Sequence, residues 1–326
     1  MKNVLHSSSS AVPSAISLLL LAVAAAIGLV DCLWAEKAGF MVASHAYAVL
    51  AAISGICWLA GWFYEAHRPE PRLAAMLTGT GFLVAFTAGA SVLNAMLLTV
   101  AGPRVDWLFA RADIAMGFDW PAMMRLAAGH PAPMAVLRLV YMVLVPEIAL
   151  AVLVLGTLRG AAPVYRFCLA IAAGAMICIA IWTAFPAFGA MSVYHLDPAT
   201  AARLNVPVDG AYGEMLVRML REGPGLIAPN MKGLIGFPSY HAVLALLLMW
   251  YFRSLHGFRW IIWGLNGLVV LATPIAGGHH MIDVLAGVPV TFLAIAIARW
   301  VHGLGVGRDG MASAQAMECL EAGQRA

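Results

Sequence analysis

Eight stretches of this chain are apolar over lengths close to the 17–25 residues that a helix needs to cross a hydrocarbon layer. Nothing else constrains the fold so strongly. A backbone in lipid must satisfy its own hydrogen bonds, and an α-helix does so within one segment. The stretches run over residues 14–34, 45–64, 77–100, 133–155, 164–185, 239–252, 260–275 and 280–300, the sixth and seventh being short. A length of 326 residues would suggest two soluble domains, but the chain is 63% hydrophobic and 11% charged. Soluble domains carry about 25% charged residues. The expected fold class is therefore all-α: a polytopic membrane helix bundle with about eight spans.

The first stretch follows Lys2 and the serine run 7–10, as a signal peptide would. Its apolar run is long for that role, so an uncleaved first span is expected. Cys32 follows Leu29-Val30-Asp31, and an aspartate just before the cysteine argues against a lipoprotein cleavage site. The five cysteines, Cys32, Cys57, Cys168, Cys178 and Cys319, show no paired spacing and are read as small apolar fillers. A net charge of +3 without a basic block excludes nucleic acid as a partner.

Lys and Arg placement orients the bundle. With the N-terminus inside, the inner side collects Lys2, Arg68, Arg72, Arg159, Arg166, Arg253, Arg259, Arg308 and Arg325. The short loop after the first span carries Glu36 beside Lys37. Both termini are then cytoplasmic, in what is expected to be a bacterial inner membrane. Two connections are long, 102–132 and 186–238. The first mixes charges and aromatics at helical spacing and is read as interfacial helices with Trp107, Phe118 and Trp120 as anchors. An amphipathic connector without a substrate role is the alternative. Glu147 and Asn94, polar within spans, are assigned to helix–helix hydrogen bonds.

Chemistry concentrates in Gly236-Phe-Pro-Ser-Tyr-His-Ala242 and Gly277-Gly-His-His-Met-Ile-Asp283, each at the start of an apolar run. The topology puts both on the outer, periplasmic face. Ionisable groups at that depth are costly and mark function. His279 and Asp283 are four residues apart, on one helix face, where a carboxylate can orient an imidazole as a nucleophile. His241, from another span, can protonate a leaving oxygen. His280 is the alternative nucleophile, only three residues before Asp283. This set suits in-line phosphoryl transfer through a phosphohistidine, and neither a metal nor a cofactor is expected. A different class of protein, a channel or transporter with a polar solute site, remains the rival reading.

Pro-Ser-x-His followed by His-x3-Asp resembles the second and third motifs of the type 2 phosphatidic acid phosphatase superfamily. The likeness is closer to its inositolphosphotransferase branch, which includes inositol phosphorylceramide synthases. Supporting stretches are Leu265-Asn266, Thr273 to Gly287, Phe185-Pro-Ala-Phe-Gly189, Gly117-Phe-Asp-Trp-Pro121 and the Tyr141…Pro146-Glu147 segment. The resemblance covers about residues 106–301 and implies a six-helix phosphatase-like core. It implies His279 as nucleophile, Asp283 as its orienting partner and His241 as the acid. His280 stands where the branch often has tyrosine.

The wider superfamily holds phosphate with a Lys-x6-Arg-Pro motif and an arginine six residues before the nucleophile. Here position 273 is threonine, and Arg68-Pro69 has Gly61 in place of the lysine, on the wrong side of the membrane. Candidate phosphate ligands are Arg221, which resembles an Arg-x-Gly element of the branch, together with Lys232, Arg138 and Tyr141. Ser239, at a helix start, is a cap or a phosphate ligand.

The expected organisation is N-terminal spans over 1–102, a catalytic membrane domain over 103–303 and a cytoplasmic tail over 304–326. The expected substrate is a phospholipid or sphingolipid within the bilayer. Acceptor choice, water or an alcohol, is assigned to the long loop 186–238.

Overall fold

The computed structural model describes residues 14–208, 210–229 and 233–325, so Lys2, the serine run 7–10 and Lys232 lie outside the described residues. The chain is all-α. Among the described residues seven helices are long and apolar enough to cross a membrane: α1 (Ala15–Ala38), α2 (Ser44–Ala66), α3 (Pro71–Leu97), α6 (Pro131–Arg159), α7 (Ala161–Ala184), α11 (His256–Ala276) and α12 (Met281–Arg325). Among the shorter helices are α4 (Asp106–Ala115), α5 (Trp120–Ala128), α8 (Pro198–Leu204), α9 (Gly210–Glu222) and α10 (Tyr240–Phe252). The sixth expected span is α10. It has 13 residues, about 20 Å at the usual helical rise.

Local chemistry sets these limits. The Ser14 hydroxyl accepts the Ser17 N–H to start α1, and Gly39, in a left-handed conformation, ends it. Proline at the first helical position opens α3, α6 and α8, where its missing N–H costs nothing. Between 303 and 304, where a tail was expected to begin, α12 continues without a break to Arg325.

The most enclosed span is α7, packed against α3, α6, α10 and α12, whereas α2 is the least buried and touches mainly α3. Lipid tails are as apolar as leucine, so close backbone approach and polar ties must hold such helices together. Both are present around α10. A Cβ at Gly174 of α7 would lie 3.0 Å from Val243 Cγ1, and one at Gly287 of α12 would lie 3.1 Å from Ala242 Cβ. The Tyr240 hydroxyl donates to Ile171 O at 2.9 Å. Asn266 Nδ2 donates to Glu147 Oε1 at 2.8 Å, the interhelical bond expected of Glu147. Asn94 departs from expectation: its Oδ1 is buried with no hydrogen-bond partner among the described residues.

Ile56, Leu59, Val145, Leu271 and Phe292 stand exposed around the bundle, the surface that lipid covers. The connections at one end fold into a cap. Residues 41–42 pair in parallel with 226–227, joining the first loop to the long one. Trp120, expected as an interfacial anchor, is fully buried instead. It donates from Nε1 to Pro274 O at 2.9 Å and stacks on Tyr194, so α5 is clasped by protein rather than by lipid. Trp107 is exposed and Phe118 is half-buried.

Candidate active site

The cap end holds the two histidine stretches. Ser239 N-caps α10, its Oγ accepting the Ala242 N–H at 3.4 Å, which puts His241 in the first turn. His279 lies in the connector Gly277–His280, between α11 and α12. The connector bends back sharply, and Gly278 has φ +64°.

His279 is almost wholly buried. Its Nδ1 lies 2.9 Å from Gly236 O and 3.3 Å from Asp283 Oδ2. A carbonyl can only accept, so Nδ1 carries the proton and Nε2 presents its lone pair. Nε2 is 3.4 Å from Ser239 Oγ. Asp283 Oδ2 also accepts the His280 N–H at 2.8 Å, and Asp283 O accepts the Ser239 N–H at 3.0 Å. One residue thus ties the connector, α12 and the start of α10. Burial pushes the His279 imidazole down to about 4; the Gly236 carbonyl pulls it up, and His280 lowers it further. The ring is neutral at pH 7, the form a nucleophile requires.

His241 stacks on Tyr141 of α6, ring centroids 4.3 Å apart, with its Nδ1 3.3 Å from the Tyr141 hydroxyl. As the imidazolium, His241 donates from Nδ1 to the Tyr141 oxygen, and its Nε2 proton is the one that can be passed on. Gly277 joins the two groups. A Cβ there would lie 2.7 Å from the Tyr141 hydroxyl and 2.9 Å from His279 Cδ2, so both reach the same point. Sequence spacing paired His279 with Asp283; the structure adds Ser239 and Gly236 to them, and Tyr141 to His241.

The cationic candidates are elsewhere. Arg138 is half-exposed and donates to Asn205 O at 2.9 Å, fastening α6 to the end of α8. Arg221 is exposed and lines a cavity of about 310 Å³ with Arg218, His195, Ser192 and Met191. Neither arginine is bonded to a residue of the histidine group among the described residues. Met191 connects the cavity to the connector, since a Cβ on Gly278 would meet its Cγ at 2.7 Å.

Two residues that sequence reasoning did not single out hold the connector in place, and both come from α4. Asp113 is buried, and its Oδ2 accepts from His280 Nδ1 at 3.1 Å and from Met281 N at 3.0 Å. Its Oδ1 accepts from Ile282 N at 3.1 Å. This carboxylate caps α12 from another helix, at the end where the dipole favours negative charge. His280 is thereby turned away from His279; its Nε2 is buried without a partner.

Asp106, two turns earlier, accepts the N–H groups of Phe188 and Gly189 at 2.7 and 2.8 Å, and Arg104 Nε at 2.5 Å. The turn it fixes grips the connector, because Ala190 N donates to Gly278 O at 2.7 Å. The signal was available: 106, 109, 110 and 113 form one buried helix face with an aspartate at each end.

Gly189 has φ +87°, and a Cβ there would stand 2.4 Å from Gly278 O. Gly189→Ala is expected to cost about 1–3 kcal/mol for the backbone conformation alone, before the steric push on the connector. Thermal unfolding in detergent, read beside turnover, checks this; an unchanged midpoint would contradict the geometry.

A family model described as the PAP2 superfamily matches residues 107–297, a span from α4 through the connector and most of the apolar part of α12. No curated protein and no solved structure matches the chain.

Proposed function

This chain belongs to the PAP2 superfamily, the type 2 phosphatidic acid phosphatases and their relatives, and from that premise we propose that it moves a phosphoryl or phospho-alcohol group from a membrane lipid through a phosphohistidine on His279. Membership makes it a phosphatase or phosphotransferase rather than a transporter. The observation that carries the histidine mechanism is the tether on Nδ1. With Gly236 O and Asp283 on that nitrogen, only Nε2 can attack.

In the first step Nε2 forms a bond to phosphorus and the bond from phosphorus to the leaving oxygen breaks. His241, entering this step as the imidazolium, gives that oxygen its proton and becomes neutral. In the second step the acceptor oxygen attacks phosphorus, its proton passes to His241, and His279 is released. Asp283 stabilises the cation that His279 becomes. The Ser239 hydroxyl, 3.4 Å from the reacting nitrogen, and the N–H groups at the start of the helix it caps stand in for the missing Lys-x6-Arg-Pro clamp.

Arg221 and Arg218 serve the headgroup or the acceptor in the adjoining cavity. Among PAP2 chemistries, transfer to an alcohol such as inositol or a lipid hydroxyl is favoured by the Gly236-Phe-Pro-Ser-Tyr-His-Ala242 pattern. Basic residues gather at the end of the bundle opposite the histidines, which supports a site on the periplasmic side.

Rapid quenching of purified protein with ³²P-labelled phosphatidate or phosphatidylinositol tests the mechanism. Label is expected on the protein, stable to base and lost in acid, and absent in His279→Ala. Turnover without such an adduct, or an adduct that survives in His279→Ala, would overturn it. Product analysis with and without an alcohol acceptor separates transferase from phosphatase.

A further inference from the structure

The end of the bundle away from the histidines carries an arginine cluster that the reaction does not use. Arg253, in the turn after α10, has its Cζ 3.9 Å from the Trp250 ring centroid, and Arg299 of α12 places its own 5.3 Å from the same ring. Arg159, at the end of α6, donates to Ser254. Arg166 of α7 donates from Nε to His302 at 3.4 Å, while its carbonyl accepts the Tyr251 hydroxyl at 2.8 Å. Arg253 and Arg299 therefore share Trp250, with Arg166 near Tyr251 and Arg159 near Arg253.

Among the described residues no carboxylate pairs with them. The carboxylates of the described residues that contact a basic side chain are Asp106 with Arg104, Asp283 with His279 and Asp113 with His280, all at the cap end. The Arg253 pKa is lowered from its ordinary value, first by partial burial and then by Arg299, with Arg159 adding to it and Tyr251 opposing. The ring and carbonyl contacts offset part of the mutual repulsion. The rest calls for an anion.

The surroundings say which kind. Trp260 and Trp300 are 66% and 67% exposed, as aromatic side chains are at the level of lipid headgroups. Phe292, two turns further into the membrane on α12, is exposed and meets the edge of Trp250. Cationic groups at the headgroup level thus adjoin an apolar strip running along the acyl region.

We propose that this cluster is a binding site for an anionic phospholipid of the leaflet opposite the histidines. Its phosphate lies between Arg253 and Arg299, and an acyl chain lies along Phe292. The guanidinium forks suit a phosphate, and a zwitterionic headgroup would bring its ammonium up against Arg159 and Arg166. By the distribution of Lys and Arg this is the cytoplasmic leaflet.

The full chain in phosphatidylcholine nanodiscs, titrated with phosphatidylglycerol, tests the site by native mass spectrometry of retained lipid and by thermal midpoint. Phosphatidylglycerol is expected to be retained in preference to phosphatidylcholine and to raise the midpoint. Arg253→Gln with Arg299→Gln is expected to weaken retention on the order of 100-fold, the loss of two charge-assisted hydrogen bonds to the phosphate. Arg68→Gln with Arg72→Gln removes the same charge from the same end and is expected to leave retention unchanged.

Equal loss in both double variants would reduce the effect to general surface charge and overturn the site. So would the same rise in midpoint with millimolar inorganic phosphate. The wild-type comparison of the two lipids does not depend on how the variants fold, and equal retention there would overturn the proposal by itself.

Discussion

His279→Ala is expected to lower kcat by about 10³-fold or more, the scale on which removing a nucleophile acts in other covalent catalysts. Release of labelled product from phosphatidate or phosphatidylinositol measures it. The fold should survive, because His279 makes its bonds to Gly236 O and Asp283 from a loop and caps no helix. The informative companion is His280→Ala. His280 is completely buried, its Nδ1 is held by Asp113, and its Nε2 faces no partner. A nucleophile so enclosed could not reach a phosphate. His280→Ala should therefore still form the covalent adduct, whereas His279→Ala should not. The reverse result would assign the chemistry to the wrong histidine.

The second large effect is expected at Asp113, which touches no substrate and acts as a positioning residue. Asp113→Ala removes the acceptor for His280 Nδ1 and for the N–H groups of Met281 and Ile282, all at a buried position. Each buried donor left without its acceptor costs about 1–3 kcal/mol. Since α12 carries Asp283, a loosened first turn also misplaces the carboxylate that orients His279. The expected signature is a lower thermal midpoint in detergent, a reduced kcat and an unchanged KM. Asp113→Asn keeps one carbonyl acceptor and should recover part of both losses. A variant that lost only stability would show Asp113 to be structural alone.

Much of this arrangement could be read from the chain because membranes simplify the problem. Apolar length marks a span whatever packs against it, so all eight expected stretches are helical and, among the described residues, seven are long enough to cross, α10 being the short one. The His279–Asp283 pair follows from helical spacing, and the Ser239 cap from residue type at a helix start. What escaped depends on tertiary contact.

Asp106 and Asp113 lie in a charged, aromatic loop that reads as interfacial, and their importance comes from backbone N–H groups distant in sequence that they satisfy. Trp120 has the composition of an anchor, but its N–H finds Pro274 O inside the protein. Asn94 was assigned an interhelical bond that its carbonyl oxygen does not make. The arginines at the far end appeared only as a topological signal, because a linear chain does not show that two of them share one ring. Phosphate binding was sought in charged side chains, and those that can be located, Arg138 and Arg221, are occupied or lie to one side.

On the proposed mechanism, the shortness of α10 bears on which partner in the reaction must travel. The helix falls about 10 Å short of a hydrocarbon layer about 30 Å thick, and its far end is level with the arginine ring. Its first turn, with His241, is therefore sunk beneath the membrane surface rather than perched on it. A lipid phosphate meets such a depth by a small vertical displacement, its tails never leaving the bilayer. A water-soluble acceptor has the opposite journey and must descend through a polar opening in the cap to arrive. The division of labour is then one of solvents: the bilayer delivers the donor sideways, while the aqueous phase has to be let in from above.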